Sequence, residues 1–226
     1  MSDTPSARRP IAARQSAWAP RVSRRLIALG LTPNQVSALS VVFAMAAGVA
    51  LAGSGEVGGA GRIALLLGAA VAIQFRLLCN LFDGMMAVEG GLRSAAGDIY
   101  NDLPDRIADP LILIGAGCAA RYLDYGLTLG WLAALGAVLT AYVRMLGAAS
   151  GLPHDFRGPM AKQHRMAVMT VACLAATLEP LWAIQGQVLR AALAVIVAGC
   201  SVTIIRRVAH MAAALRERAA GRESPS

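Results

Sequence analysis

The chain has 226 residues, of which 57% are hydrophobic and only 15% charged, with a mean hydropathy of +0.57. These values exclude a water-soluble domain with an ordinary charged surface, and at about 20 apolar residues per crossing the length accommodates roughly six membrane helices. The formal net charge of +8 resides mainly at the two ends and beside apolar segments, without interleaved aromatics. That pattern argues against a nucleic-acid partner and for anionic membrane lipids.

Residues 1–16 read as a flexible basic tail containing Arg8, Arg9 and Arg14. No compact apolar region followed by small residues is present there, so the segment does not read as a cleaved leader. Residues 17–32 place apolar side chains between Arg21, Arg24 and Arg25, the pattern of a short amphipathic helix lying at the interface. Pro33 and Asn34 offer a helix start. Apolar segments then predict spans over 36–51, 62–88, 96–120, 127–149, 162–182 and 188–215, followed by a polar tail over 216–226. The expected fold is an all-α integral membrane protein in which one six-helix domain, 33–215, follows the interfacial helix. An even number of spans places both termini on one side, together with Arg93, Arg157, Lys162 and Arg165, whereas Arg62, Arg121 and Arg190 fall on the other. The positive-inside rule assigns the first side to the cytoplasm, as in a bacterial-type inner membrane. Cys79, Cys118, Cys173 and Cys200 sit in apolar stretches without paired spacing and read as packing residues. His154, His164 and His210 show no ligand spacing.

The acids are distributed very unevenly. Of 13 in the chain, Asp83, Glu89, Asp98, Asp102, Asp105 and Asp109 fall between positions 83 and 109. At about 100° per residue, Arg76, Asn80, Asp83 and Ala87 form a narrow stripe on the second span. By the same arithmetic Asp98, Asn101, Asp102, Asp105 and Asp109 share a sector of about 100° on the third. A connection as short as 89–95 predicts that these two helices are antiparallel neighbours whose stripes face each other near the cytoplasmic surface. Arg76, flanked by apolar residues, is expected to pair with the acidic stripe rather than with lipid. Repulsion among crowded carboxylates is relieved by protonation or by a hard divalent cation such as Mg²⁺ or Mn²⁺.

The arrangement Asn80-Leu-Phe-Asp83-Gly84-Met-Met-Ala87, followed by Gly97-x3-Asn101-x3-Asp105, resembles the motif D-x2-D-G-x2-A-R…G-x3-D-x3-D of the CDP-alcohol phosphotransferase family. Leu31-Thr-Pro33-Asn34-Gln-Val36-Ser37 is similar to the family's segment before its first span, and Tyr142-Val-Arg144 to the end of its fourth. Asn80, Asn101 and Val88 stand where the family has its first Asp, third Asp and Arg. The resemblance implies transfer of a phosphatidyl group from a CDP-diacylglycerol-like lipid donor to a small polar alcohol acceptor, with one or two Mg²⁺ or Mn²⁺ ions and a homodimeric assembly. It further implies Asp105 as general base and Asn80, Asp83, Asn101 and Asp105 at the metal; independently of the resemblance, the helix wheel offers Asp98, Asp102 or Asp109 as substitutes on the same stripe. Gly84, Ala87, Gly97, Asn34 and Ser37 would border the nucleotide, and Arg144, Arg165 and Arg207 would meet a phosphorylated acceptor. The residues by themselves also leave open a non-catalytic relative that binds CDP-lipid or metal, and a cation transporter.

Overall fold

A computed structural model describes residues 18–88, 90–92 and 97–223, except the side chains of 98, 101 and 221–223. Its described elements are helical: α1 (Ala19–Ala28), α2 (Pro33–Ser54), α3 (Gly59–Val88), α4 (Gly97–Ala119), α5 (Gly126–Ala149), α6 (Lys162–Ala176) and α7 (Gln187–Glu223), with a single 3₁₀ turn at Glu179–Leu181.

The N-terminal junction follows from local chemistry. Gly30, at φ +79°, ends α1 in the left-handed region that favours glycine. Two residues later Thr32 caps α2: its hydroxyl accepts from the Gln35 amide at 3.3 Å, and the Gln35 side chain accepts from the Thr32 amide at 2.9 Å. Pro33 occupies the first turn, where its missing N–H costs nothing. On α1, Trp18 packs edge-on against Phe82 of α3 with ring centroids 5.9 Å apart. This contact belongs to an apolar cluster of Ala19, Val36, Leu81, Phe82, Met85 and Met86.

Four helices, α2, α3, α5 and α7, are long and apolar enough to cross a membrane. The other two differ for identifiable reasons. The first half of α4 carries Asp98, Asp102, Asp105, Arg106 and Asp109. At 15 residues, α6 is shorter than a helix expected to run to residue 182, because the chain turns at Glu179 and Pro180. Glu179 is buried and accepts from Arg62 at 2.5 Å and from the amides of Gly186 and Val188 at 2.8 Å each. Arg62, expected as a loop cation, is likewise buried and also donates to the Ser54 carbonyl at 2.8 Å. This ion pair joins the ends of α2, α3 and α7. At the other end α7 runs on through the polar segment to Glu223, with Arg218 donating to the Gly151 carbonyl at 2.9 Å.

The order of packing departs from the expectation that α3 and α4 are close neighbours. α2 lies against both, and α3 and α4 touch only sparsely. Small residues are the cause: a Cβ on Gly115 would lie 2.3 Å from the Gly48 carbonyl oxygen, and one on Gly48 would lie 2.5 Å from that of Leu111. α4 meets α5 in the same way at Gly117 and Gly130. Alanines 44, 47, 69, 108, 116 and 133 complete this tight interior, while Val42, Val49, Val71, Phe75 and Leu135 point outward and remain exposed. Small residues inside with large apolar ones outside is the arrangement that lets membrane helices approach closely.

Gly115→Val is expected to destabilise the fold by at least the roughly 1–3 kcal/mol typical of overpacking, since backbone rather than a flexible side chain must move. Gly68→Ala, where an added methyl meets nothing within 4 Å, serves as the control and is expected to be neutral or slightly stabilising. Thermal unfolding in detergent micelles compares the two.

Candidate functional site

The polar stripe of α3 and that of α4 meet through one long side chain. Arg76 is fully buried, and its Nη2 donates to Asp105 Oδ1 at 3.0 Å and to Asp109 Oδ1 at 2.6 Å. It reaches across from α3 to α4, whose backbones touch only sparsely. From α6, Lys162 caps the second oxygen of Asp105, and Arg165 holds the second oxygen of Asp109 through Nε at 3.0 Å and Nη2 at 2.6 Å. Arg165 also donates to the Met160 carbonyl at 3.0 Å and to the Thr140 hydroxyl at 3.3 Å. The expectation that Arg76 pairs with the acidic stripe is met. The contribution of Lys162, expected only as a cation on the basic side of the membrane, is new.

Asp83 has different surroundings. It is buried and has no salt-bridge partner among the described residues, while its oxygens accept from the Ser37 hydroxyl at 2.6 Å and from the Gly84 amide at 2.5 Å. Ser37 and Gly84, both expected beside a nucleotide, therefore position the carboxylate of Asp83. One turn earlier Asn80 has a buried side-chain amide nitrogen with no hydrogen-bond partner. A half-turn of the amide exchanges its oxygen and nitrogen, so one end of Asn80 lacks a protein partner in either orientation. Ala87 follows on the same helix and is half-buried, Gly97 opens α4, and Asn34 lies half-buried in the first turn of α2. The expectations for the side chains of Asp98 and Asn101 lie outside the described residues.

Asp102 stands at the edge of the cluster. Arg144 of α5 donates to one of its oxygens at 2.8 Å and Arg106 to the other at 2.6 Å. Arg144 also lies over the Phe156 ring, 5.7 Å from its centroid. It lines a cavity of about 370 Å³ between α5 and α7 that Asp155, His210 and Arg218 also border. Of the three cations expected to meet an acceptor, Arg165 and Arg207 both donate to Thr140, one turn before Arg144 on α5. Arg144 reaches the cavity, Arg165 is committed to Asp109, and Arg207 is buried and donates to the carbonyls of Arg157 at 2.9 Å and Thr140 at 2.5 Å.

As a donor set, the described residues suit one hard divalent cation better than two. Among them no three His, Cys, Asp or Glu side chains converge. Both oxygens of Asp102, Asp105 and Asp109 face cations of the chain itself. Asp83 keeps unused lone pairs, and the unpartnered end of Asn80 lies one turn from it. Two oxygens from one helix with water completing the sphere fit Mg²⁺ or Mn²⁺, which retain several waters in protein sites.

No protein-family profile matches the sequence, and no curated protein matches it closely enough to count as a relative. Solved structures do match. Mycobacterium tuberculosis phosphatidylinositol phosphate synthase with CDP-DAG bound superposes with a TM-score of 0.71 at 20% identity, over 87% of this chain and 94% of that one. The same enzyme in complex with manganese and citrate gives a TM-score of 0.71, and its apo form 0.68, each at 20% identity. The chain shares that enzyme's fold. The likeness extends from one end of the helical bundle to the other, at 85% of this chain and 88% of that one in the manganese complex.

Replacing Arg76 with Met leaves two buried carboxylates short of a partner, and breaking a buried pair in this way costs about 3–5 kcal/mol. A loss of that size is expected in reversible unfolding in mixed micelles, with part of it recovered when Asp109→Asn is added. A loss below about 1 kcal/mol would contradict the bridging role.

Proposed function

We propose that this chain is a membrane-embedded phosphotransferase that moves a phosphatidyl group from a CDP-diacylglycerol-like lipid to a small polar alcohol, releasing CMP. The observation that carries this reading is the pair Asp83 and Asp105. Both are buried within a bundle that has the fold of phosphatidylinositol phosphate synthase, and both stand at the intervals of the CDP-alcohol phosphotransferase motif. Isolated buried carboxylates are expensive inside a membrane bundle, and their retention with dedicated cations is the pattern of a functional site.

The reaction is attack of the acceptor hydroxyl on the diacylglycerol-side phosphorus. A new phosphorus–oxygen bond forms, the bond to the bridging pyrophosphate oxygen breaks, and CMP leaves. Asp105 receives the hydroxyl proton. Arg76 and Lys162 each donate to one of its oxygens and so orient the carboxylate. Asp83, held by Ser37 and Gly84, and Asn80 would bind a divalent cation, which when present supplies charge neutralisation at the pyrophosphate. Arg144 at the cavity would orient the acceptor, and a phosphorylated acceptor would gain most from it.

The broader placement belongs to the same reading. Six spans, α2 to α7, follow an interfacial α1, with both termini and the site on the cytoplasmic face of a bacterial-type inner membrane. The assembly would be a homodimer. A specific observation also favours a second reading, a CDP-lipid-binding relative without turnover: Asn80 and Asn101 replace two motif acids. Cation transport has less support, because the described carboxylates of α4 are already paired with cations.

Purified protein supplied with CDP-diacylglycerol, Mn²⁺ and a panel of phosphorylated and neutral alcohols is expected to release CMP with at least one acceptor. Asp105→Asn and Asp83→Asn should each lower the rate by at least about 10²-fold, the lower range for a positioned acid or base. CDP-lipid binding without CMP release from any acceptor would establish the non-catalytic reading instead, and full activity of Asp105→Asn would remove it as the base.

A further inference from the structure

The charges of the described site close without any ion. Asp83, Asp105 and Asp109 contribute three negative charges, and Arg76, Lys162 and Arg165 contribute three positive ones. Asp102 is handled separately by Arg106 and Arg144. A pair of divalent ions would add four positive charges to a buried set that is already balanced, which a low-dielectric interior strongly opposes. A CDP-linked lipid brings two negative charges on its pyrophosphate, and one divalent ion offsets these.

The geometry around Asp105 agrees with this count. Oδ1 faces the fully buried guanidinium of Arg76 at 3.0 Å, and Oδ2 faces the ammonium of Lys162. A metal ion approaching either oxygen meets a positive charge already there. The charge of Lys162 also acts on Asp83, but among the described residues no cation lies within ion-pair distance of it. The Nε and Nη1 groups of Arg76 are buried and without partners among the described residues, so this guanidinium is held by Asp105 and Asp109 through Nη2.

We infer that Arg76 and Lys162 take the place of a second divalent cation at Asp105, so that the chain holds a single ion, on the Asp83 and Asn80 side, and Asp105 is not a metal ligand. This rests on the CDP-lipid reading above, but it specifies the electrostatics of the site through residues of this chain. Arg76 reaches Asp105 from the start of the α3 stripe and Lys162 from the first residue of α6. Two protein cations therefore do for this carboxylate what a bound ion would otherwise do: they suppress its repulsion with Asp83 and Asp109 and fix its direction.

The test is Mn²⁺ stoichiometry on the full chain in detergent micelles with CDP-diacylglycerol present, followed by loss of the free-ion electron paramagnetic resonance signal. The native protein is expected to take up one Mn²⁺ per chain. Lys162→Met uncovers one oxygen of Asp105 and should raise the count to two, while Lys162→Arg, which keeps the charge, should remain at one. Lys162 begins its helix with a side chain 30% exposed, and a monodisperse elution profile verifies that the variants fold. Two ions on the native chain would overturn the inference, as would a Lys162→Met chain that still takes up only one. No uptake by either chain also overturns it, and leaves the phosphotransferase reading to be judged separately by CMP release.

Discussion

A single buried guanidinium determines how the polar part of this bundle is put together. Arg76 lies on a helix that barely touches the one carrying Asp105 and Asp109, yet it donates to both carboxylates. The separation is imposed by α2, which lies against α3 on one flank and meets α4 at Gly48 and Gly115 on the other. A short side chain at position 76 would not cross that distance. Asp105 and Asp109 would then each keep one cation, Lys162 and Arg165, and leave their facing oxygens unpaired in an apolar bundle. Close glycine packing and the long arginine are therefore two parts of one solution: the first brings α2 and α4 together, and the second reconnects α3 to the acids thereby moved away from it.

The same logic operates at both ends of the bundle with different consequences. At one end Arg62 and Glu179 form an ion pair whose remaining partners are backbone groups of Ser54, Gly186 and Val188, with the Arg62 Nε left without one. That pair ties helix ends together. At the other end the pairing is incomplete at Asp83 and Asn80, where a carboxylate without a cation and an amide with an unpartnered end lie one turn apart. The contrast separates a structural ion pair from a site that retains capacity for a ligand.

Much of this was legible in the sequence, and the exceptions have physical causes. Periodicity placed Arg76, Asn80 and Asp83 on one face and Asp102, Asp105 and Asp109 on another, because spacings of three and four are enough to define a helix face. The pairing of Arg76 with the acids followed from the cost of leaving it in lipid. What periodicity did not reveal was which helices touch. The short connection between α3 and α4 implied close packing, whereas each packs mainly against α2, at glycines in the case of α4 that a hydropathy pattern treats as ordinary apolar positions. Lys162 was missed as a partner of Asp105 because it lies 57 positions away and belongs to no shared local pattern. The end of α6 was misplaced because Glu179 sits in an apolar stretch, and its buried partner Arg62 lies 117 positions earlier.

Anomalous diffraction at the manganese edge tests most directly whether protein cations, and not a second metal ion, hold Asp105. Crystals grown with a CDP-linked lipid and Mn²⁺ should show one anomalous peak within ligating distance of Asp83, with Asp105 still held between Arg76 and Lys162. Two peaks, one of them bound to Asp105 with Lys162 displaced, would contradict it.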